Sequence, residues 1–235
     1  QNAINAAVNR GTAVFVAAGN ANNSAYNHSP ANCANVITVG ATDSSGGRAG
    51  FSNFGPAVDI AAPGSSVLST LNNGLQAQGT ESYAYYDGTS MATPHVAGVA
   101  ALMQSRRIAV GEAPYTPAQL ESLLRSTARA FPVTLDQPLG AGIVNADAAV
   151  TRAGQRTPFI TSFSCSGSGG GYCSVSYTSS TPVSFAWSGG YSSSCTGSSC
   201  SGVCGTLGSF TIKVTVTLTN SAGSTTAEAW PFCQR

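Results

Sequence analysis

The run from Asp87 to Gly98, DGTSMATPHVAG, decides how the rest of the chain is read. A serine, Ser90, sits among small residues, just ahead of a proline and an apolar stretch that continues to Met103. Met91, Ala92, Val96, Val99, Ala101 and Leu102 leave almost no polar face, and a helix that is apolar all round is a buried one. Pro94 is expected in the first turn, where backbone N–H groups have no partner inside the helix. Ser90 therefore stands at the N-terminus of a central helix, with free N–H groups and the positive end of the dipole beside its hydroxyl. Such a place stabilises a developing oxyanion. It is also the commonest place for a serine that only caps a helix, so the surrounding residues must decide.

Working outward, the chain has two grammars. Up to about residue 154, helix-like and strand-like segments alternate. Thr12 to Ala17 (TAVFVA), Val36 to Val39 (VITV) and Val58 to Ala62 (VDIAA) read as strands. Strands apolar on both faces belong to a parallel sheet covered by helices, so residues 1–154 are expected to be α/β. Thr116-Pro117-Ala118-Gln119 is a helix start: a capping hydroxyl, a proline at the first position and a glutamine reaching back. Leu120, Leu123 and Leu124 give that helix its buried face.

From Pro158 onward serine, glycine and threonine crowd together and helical patterns vanish. Phe210 to Thr219 (FTIKVTVTLT) alternates, with Ile212, Val214, Val216 and Leu218 on one face, and Asn220 to Gly223 forms a turn. Val183 to Trp187 supplies an aromatic for a core. Residues 158–235 are predicted to be a small all-β sandwich, joined through a linker at 153–157. Tyr172, Tyr177 and Tyr191 form either a sticky aromatic face or ordinary core and rim packing.

Composition narrows the function. Only 8% of the 235 residues are charged and the net charge is +1. No basic patch is available for nucleic acid, and a single lysine, Lys213, argues against a polybasic membrane-surface role. No run of roughly 18 apolar residues exists to span a bilayer. Nine acidic residues form no convincing pair, so a glycosidase has no support. The low lysine content and short polar loops suit a secreted, extracellular protein. Residue 1 opens inside a helical pattern (Ile4, Ala7, Val8, then Gly11) without a cap, which leads us to expect that something N-terminal was removed.

Six of the seven cysteines, Cys165, Cys173, Cys195, Cys200, Cys204 and Cys233, lie in the last third. They read as a disulfide framework from an oxidising compartment. Zinc is the rival reading, but the spacing of Cys195, Cys200 and Cys204 matches no common zinc pattern and brings no nearby histidine. Cys33 is left over, either as a free thiol or bonded outside this chain.

The string GTSMATPHVAGVAAL, Gly88 to Leu102, resembles the nucleophile motif of the subtilisin-like serine proteases, the subtilases. FVAAGN (Phe15 to Asn20) resembles the strand ending in that family's oxyanion-hole asparagine. FSNFGPAVDIAAPGSSVLST (Phe51 to Thr70) and GAGIVNADAAV (Gly140 to Val150) resemble its next and closing segments, and AYNHSPANCANVITVGATD looks nearest to the proteinase K branch. The resemblance covers about the first 150 residues. It implies that Ser90 is the nucleophile and that Asn20, with the Ser90 N–H, forms the oxyanion hole. Ala17, Ala18 and Gly19 would line one wall of the pocket for the substrate residue before the scissile bond. His28 either edges the same pocket or is a surface-loop histidine. No cofactor is required for that chemistry, but the proteinase K branch carries a calcium whose positions match the carbonyls of Ala34 and Val36 and the carboxylate of Asp59. Asp59 alone reads equally as a strand-end hydrogen-bonding group. TVTLTNSAGSTT and FAWSGG resemble polycystic-kidney-disease-type and related immunoglobulin-like modules.

What is missing matters as much. A serine needs a base, and the chain has two histidines. His95 lies inside the nucleophile motif at an offset that turns it away from Ser90, and is expected to be structural. The family's aspartate and His-Gly-Thr blocks, which precede the serine in subtilase order, are absent. A missing N-terminal segment or companion chain is therefore expected to supply Asp and His. This chain alone should be inactive, with exposed apolar sheet edges and no stability as a soluble monomer. The substrate would be a protein or peptide. The alternative is a catalytically incompetent fragment, or a binding or adhesion module using the β-sandwich. Intact Ser90 and Asn20 argue against it, because an inactive scaffold needs neither.

Overall fold

Three short apolar runs become one parallel sheet. After helix α1 (Asn2–Asn9), strands β1 (Phe15–Ala17), β2 (Ile37–Thr42) and β3 (Ile60–Pro63) pair in the order β1-β2-β3. Phe15 stands opposite Ile37, and Val39 opposite Ile60. All six residues of β2 are buried. A central strand covered on both faces has no reason to alternate polar with apolar, which is how ITVGAT comes to read as strand. The strands start one to three residues later than the sequence suggests, because flanking apolar residues such as Val36 and Val58 pack without joining the ladder.

The computed structural model describes residues 1–166, 171–189, 194–201, 210–211, 213–229 and 232–233. It divides the chain into Gln1–Gly154 and Gln155–Arg235. In the first unit an antiparallel hairpin, β4 (Val67–Asn72) and β5 (Glu81–Tyr86), follows the sheet. Strand β5 runs into helix α2 (Thr89–Ala109); α3 (Pro117–Thr127) and α4 (Ala146–Ala153) complete the unit. Ala92, Val96, Val99, Ala100 and Met103 of α2 pack on Ile37, Val39 and Ile60 of the sheet, with Leu120 and Leu124 of α3 and Ala149 and Ala153 of α4. The buried Val, Leu, Ile and Met side chains each contribute about 1.5–3 kcal/mol relative to exposure. On another side Ala18, Ala25, Ala31, Val58, Ala61 and Leu139 form a second cluster.

Helix α2 departs from expectation in two ways. It is not buried all round: Pro94, His95, Gly98 and Ala101 are exposed, and Leu102 is 56% exposed. The sheet, α3 and α4 cover the face that carries Val96 and Met103, and the apolar residues opposite have no such cover among the described residues. Pro94 is the sixth residue of the helix rather than part of its first turn. It therefore offers no N–H to the carbonyl of Ser90, four residues back. Helix α3 begins as expected, with Thr116 Oγ1 accepting from Gln119 N–H at 3.3 Å and Gln119 Oε1 accepting from Thr116 N–H at 2.9 Å. Among the described residues, no helix is long and apolar enough to cross a membrane.

The chain thus has a parallel-sheet α/β architecture in its first unit and antiparallel sheets in its second. There β6 (Phe159–Ser166), β7 (Tyr172–Thr178), β8 (Ser184–Ser188), β9 (Ser194–Thr196), β10 (Ser199–Ser201), β11 (Phe210–Thr211), β12 (Val214–Asn220), β13 (Gly223–Ala229) and β14 (Phe232–Cys233) appear in sequence. One sheet runs β6-β7-β10-β9 and another β13-β12-β8, while β11 pairs with β14. Val175 of the first sheet packs with Val216 and Leu218 of the second, flanked by Phe185 and Trp187. The expected single strand Phe210 to Thr219 is split. Its two parts pair with different partners, β14 and β13. Ile212 and Tyr191 lie outside the described residues.

Two disulfides join Cys165 to Cys173 and Cys195 to Cys200. Their positions form one row across four strands: Cys165 faces Cys173, Cys173 faces Cys200, and Cys200 faces Cys195. The sulfurs of Cys195 and Cys200 are joined to each other, which removes them as thiolate ligands for zinc. Cys204 lies outside the described residues, as does the side chain of Cys233.

Cap and core of α3 should separate in magnitude. In urea unfolding of the assembled molecule, Thr116→Ala is expected to cost about 1 kcal/mol. Leu124→Ala, which empties a fully buried site, is expected to cost about 2–5 kcal/mol.

Candidate active site

Two chain segments 69 residues apart meet at the start of α2. Strand β1 ends at Ala17, and the loop after it carries Asn20 to the surface. Strand β5 ends at Tyr86, and Asp87-Gly88 turns the chain into the helix. Asp87 Oδ1 accepts from Ser66 N–H at 2.6 Å, which ties that turn to the start of the hairpin. Gly88 occupies the N-cap position, so Ser90 is the second helical residue and not the cap. In that first turn a backbone N–H has no intrahelical acceptor. Ser90 is exposed, and its hydroxyl makes no hydrogen bond to a described residue.

Thr89 makes the junction. Its N–H donates to Asn20 Oδ1 at 2.9 Å, and its hydroxyl donates to the same oxygen at 2.8 Å. The Gly19 N–H donates to Thr89 Oγ1 at 3.1 Å. Thr89 is fully buried. With both lone pairs of Asn20 Oδ1 engaged on one side, the amide orientation is fixed and Nδ2 is the free, donor end. That nitrogen lies over Gly88, where an added Cβ would come within 3.4 Å of it. An exposed hydroxyl, a helix N-terminus and the oriented amide donor of Asn20 thus meet around Gly88, Thr89 and Ser90. Such a set can accept a carbonyl and stabilise negative charge on its oxygen.

The other expected residues fall as follows. Ala17 and Gly19 are half-buried beside the loop, but Ala18 is fully buried in the cluster with Ala25 and Leu139. Alternation along the strand turns the Ala18 side chain inward, so only its backbone is available to a pocket wall. His28, half-buried, has Nε2 at 2.6 Å from Asn23 Oδ1, and a Cβ on Gly19 would lie 3.6 Å from its ring. His95 is exposed, with Nδ1 2.8 Å from the carbonyl of Met91. Both histidines therefore hold partners away from the Ser90 hydroxyl. Cys33, half-buried, forms no disulfide among the described residues.

The calcium expected at Ala34, Val36 and Asp59 is tested by what those atoms already hold. The donors are oxygens, as calcium prefers. Asp59 Oδ2, however, accepts from Thr38 N–H at 2.8 Å, and Oδ1 accepts from Arg125 Nη1 at 2.9 Å. The Ala34 carbonyl accepts from Gln1 Nε2 at 2.9 Å. Burial pushes the Asp59 carboxyl above its usual range and neighbouring Glu121 adds to this; the Thr38 N–H and Arg125 oppose it. A guanidinium on the same oxygen repels a divalent cation. As placed, the Asp59 carboxylate is engaged in an ion pair, and a calcium ion at this set would have to displace Arg125 from it.

Sequence reasoning misses Thr89 and Asn53. Both sit inside motifs already quoted, GTSMA and FSNFG. Their signal is a small polar residue at a position destined for burial. Asn53 is fully buried and bonds to the loop on either side of Asn20.

A sequence model of the subtilase family matches residues 1–142. The extracellular protease of Xanthomonas campestris pv. campestris is 60% identical over 153 residues, covering 65% of this chain and 26% of that protein. Subtilisin BL of Lederbergia lenta is 40% identical over 149 residues, covering 63% and 50%. Among solved structures, a protease from Pseudoalteromonas arctica superposes with a TM-score of 0.60 at 46% identity, covering 65% of this chain and 46% of that one. The chain thus spans a quarter to a half of the length of these relatives.

The Asp59 assignment carries its own test. Calcium titration of the assembled molecule should shift the melting temperature equally in wild type and Asp59→Asn. A rise lost only in the variant would restore the cation.

Proposed function

Because the chain belongs to the subtilase family, we propose that it carries the nucleophile and oxyanion hole of a secreted serine endopeptidase. The Ser90 oxygen attacks the carbonyl carbon of a peptide bond while a histidine takes its proton. Negative charge gathers on the carbonyl oxygen, held by the Asn20 Nδ2 and the Ser90 N–H. The intermediate collapses, the amine leaves with the proton returned by histidine, and an acyl group remains on Ser90. Water then repeats the sequence and releases the acid.

The single observation that carries this reading is the pair of bonds from Thr89 to Asn20 Oδ1. They leave the donor end of the amide free beside an exposed serine at a helix N-terminus. Neither histidine of this chain hydrogen-bonds the Ser90 hydroxyl, His28 being held by Asn23 and His95 by the Met91 carbonyl. The histidine and its aspartate therefore come from an N-terminal segment or companion chain, which would also cover the exposed stripe of Pro94, Gly98 and Leu102. The proteinase K-like branch and an immunoglobulin-like role for residues 158–235 belong to the same proposal. Secretion is supported by the disulfides and by relatives named as extracellular proteases.

A sulfonyl-fluoride probe should label Ser90 in the assembled molecule and leave the chain alone unlabelled. An assembled molecule that stays unlabelled would favour the second reading, a binding module in which Ser90 is inert. Asn20→Ala is expected to lower kcat by about 10²–10³ with little change in KM, a magnitude borrowed from a subtilisin.

A further inference from the structure

Thr89 fixes the tip of the Asn20 side chain, and something else must fix its base. The loop from Ala18 to Asn23 contains no helix or strand to hold it. The amide of Asn20 hangs on two rotatable bonds, so any drift of its backbone moves Nδ2. Asn53, fully buried, addresses this loop with four hydrogen bonds. Its Oδ1 accepts from Ala21 N–H at 2.9 Å and from Asn23 N–H at 3.2 Å. Its Nδ2 donates to the Ala18 carbonyl at 2.8 Å, and its own N–H donates to the Gly19 carbonyl at 2.9 Å. The bonds fall on both sides of residue 20 and pass over residue 20 itself.

The approach is built from both partners. Gly19 has φ +101°, and a Cβ there would lie 2.3 Å from Asn53 Nδ2. Only glycine gives the loop this turn and also lets Asn53 come so close. Behind Asn53, Arg48 donates to the Ser52 carbonyl at 2.7 Å and to Asn22 Oδ1 at 2.8 Å, and is itself paired with Asp136. The side chain needed at 53 is short and carries an acceptor with two lone pairs together with a donor. Aspartate lacks the donor.

We infer that Asn53 is a positioning residue for the oxyanion hole, holding the backbone around Asn20 so that the amide held by Thr89 meets the developing charge. This rests on the proposed protease reading and goes beyond it, since Asn53 touches no reacting atom. Misplacement of a catalytic group by about one ångström or less is enough to slow an enzyme substantially.

The test is a double-mutant cycle in the assembled protease, with rates normalised to the fraction labelled at Ser90. Asn53→Ala should lower kcat by about tenfold to a hundredfold while KM moves less than about threefold. In an Asn20→Ala background the same change should lower kcat by less than about threefold, because no amide is left to aim. Asn53→Asp keeps the volume and the acceptor and loses the donor to Ala18. It should give the same pattern at smaller size, and it decides the matter if Asn53→Ala fails to fold. Unchanged kcat in a folded Asn53 variant, or an equal loss with and without Asn20, overturns the positioning role while leaving the protease reading intact. Asn20→Ala without effect, or no labelling of Ser90, removes both.

Discussion

The proposed site depends on the two hydrogen bonds that Thr89 gives to one oxygen of Asn20. They join the end of a sheet strand to the beginning of a helix, and Thr89 makes them from a buried position where it cannot trade them for water. An amide has two chemically different ends. Saturating the oxygen decides which end is left to do chemistry, and no further instruction is needed. The bonds come from the residue immediately before Ser90, so the placement of the hydroxyl and the aim of the amide are parts of one local geometry.

The core serves that geometry. The parallel strands bring the loops that follow β1 and β2 to the same region, and the small residues of α2 let the helix lie close on the sheet. Asn53 extends the buried sheet region into the loop that carries Asn20 by offering backbone-like donors and acceptors where no strand continues. Asp59 follows a similar logic, for there an arginine of α3 pairs with the carboxylate. In both places polar side chains hold chain segments together. Against that background the exposed Ser90 hydroxyl, with no partner among the described residues, is conspicuous.

Much of this is readable from residues alone. TAVFVA, VITV and VDIAA announce a covered sheet because apolar runs without alternation have few other homes. Thr116 and Gln119 announce a helix because their side chains can satisfy each other's backbone. The hairpin β4–β5 is not legible, since VLSTLN and ESYAYY pair across a loop whose length hides the connection. The exposure of Leu102 is not legible either: hydropathy says that a face prefers burial and does not say whether this stretch of polypeptide provides the cover. Pro94 falls deeper in the helix than expected because α2 begins at Thr89, after a glycine cap that leaves no side-chain signal. Asn53 escapes because a buried asparagine and a surface one are spelled alike, and only the surrounding backbone distinguishes them.

The row of half-cystines in the second unit has a consequence for how that unit is made. Cys165, Cys173, Cys200 and Cys195 line up only when four strands are in mutual register. A one-residue slip within either linked pair, β6 against β7 or β9 against β10, would swing one sulfur to the opposite surface of the sheet, out of reach of its mate. Each bond therefore seals one strand pair in its own alignment, β6 with β7 and β9 with β10, while no disulfide among the described residues crosses from β7 to β10.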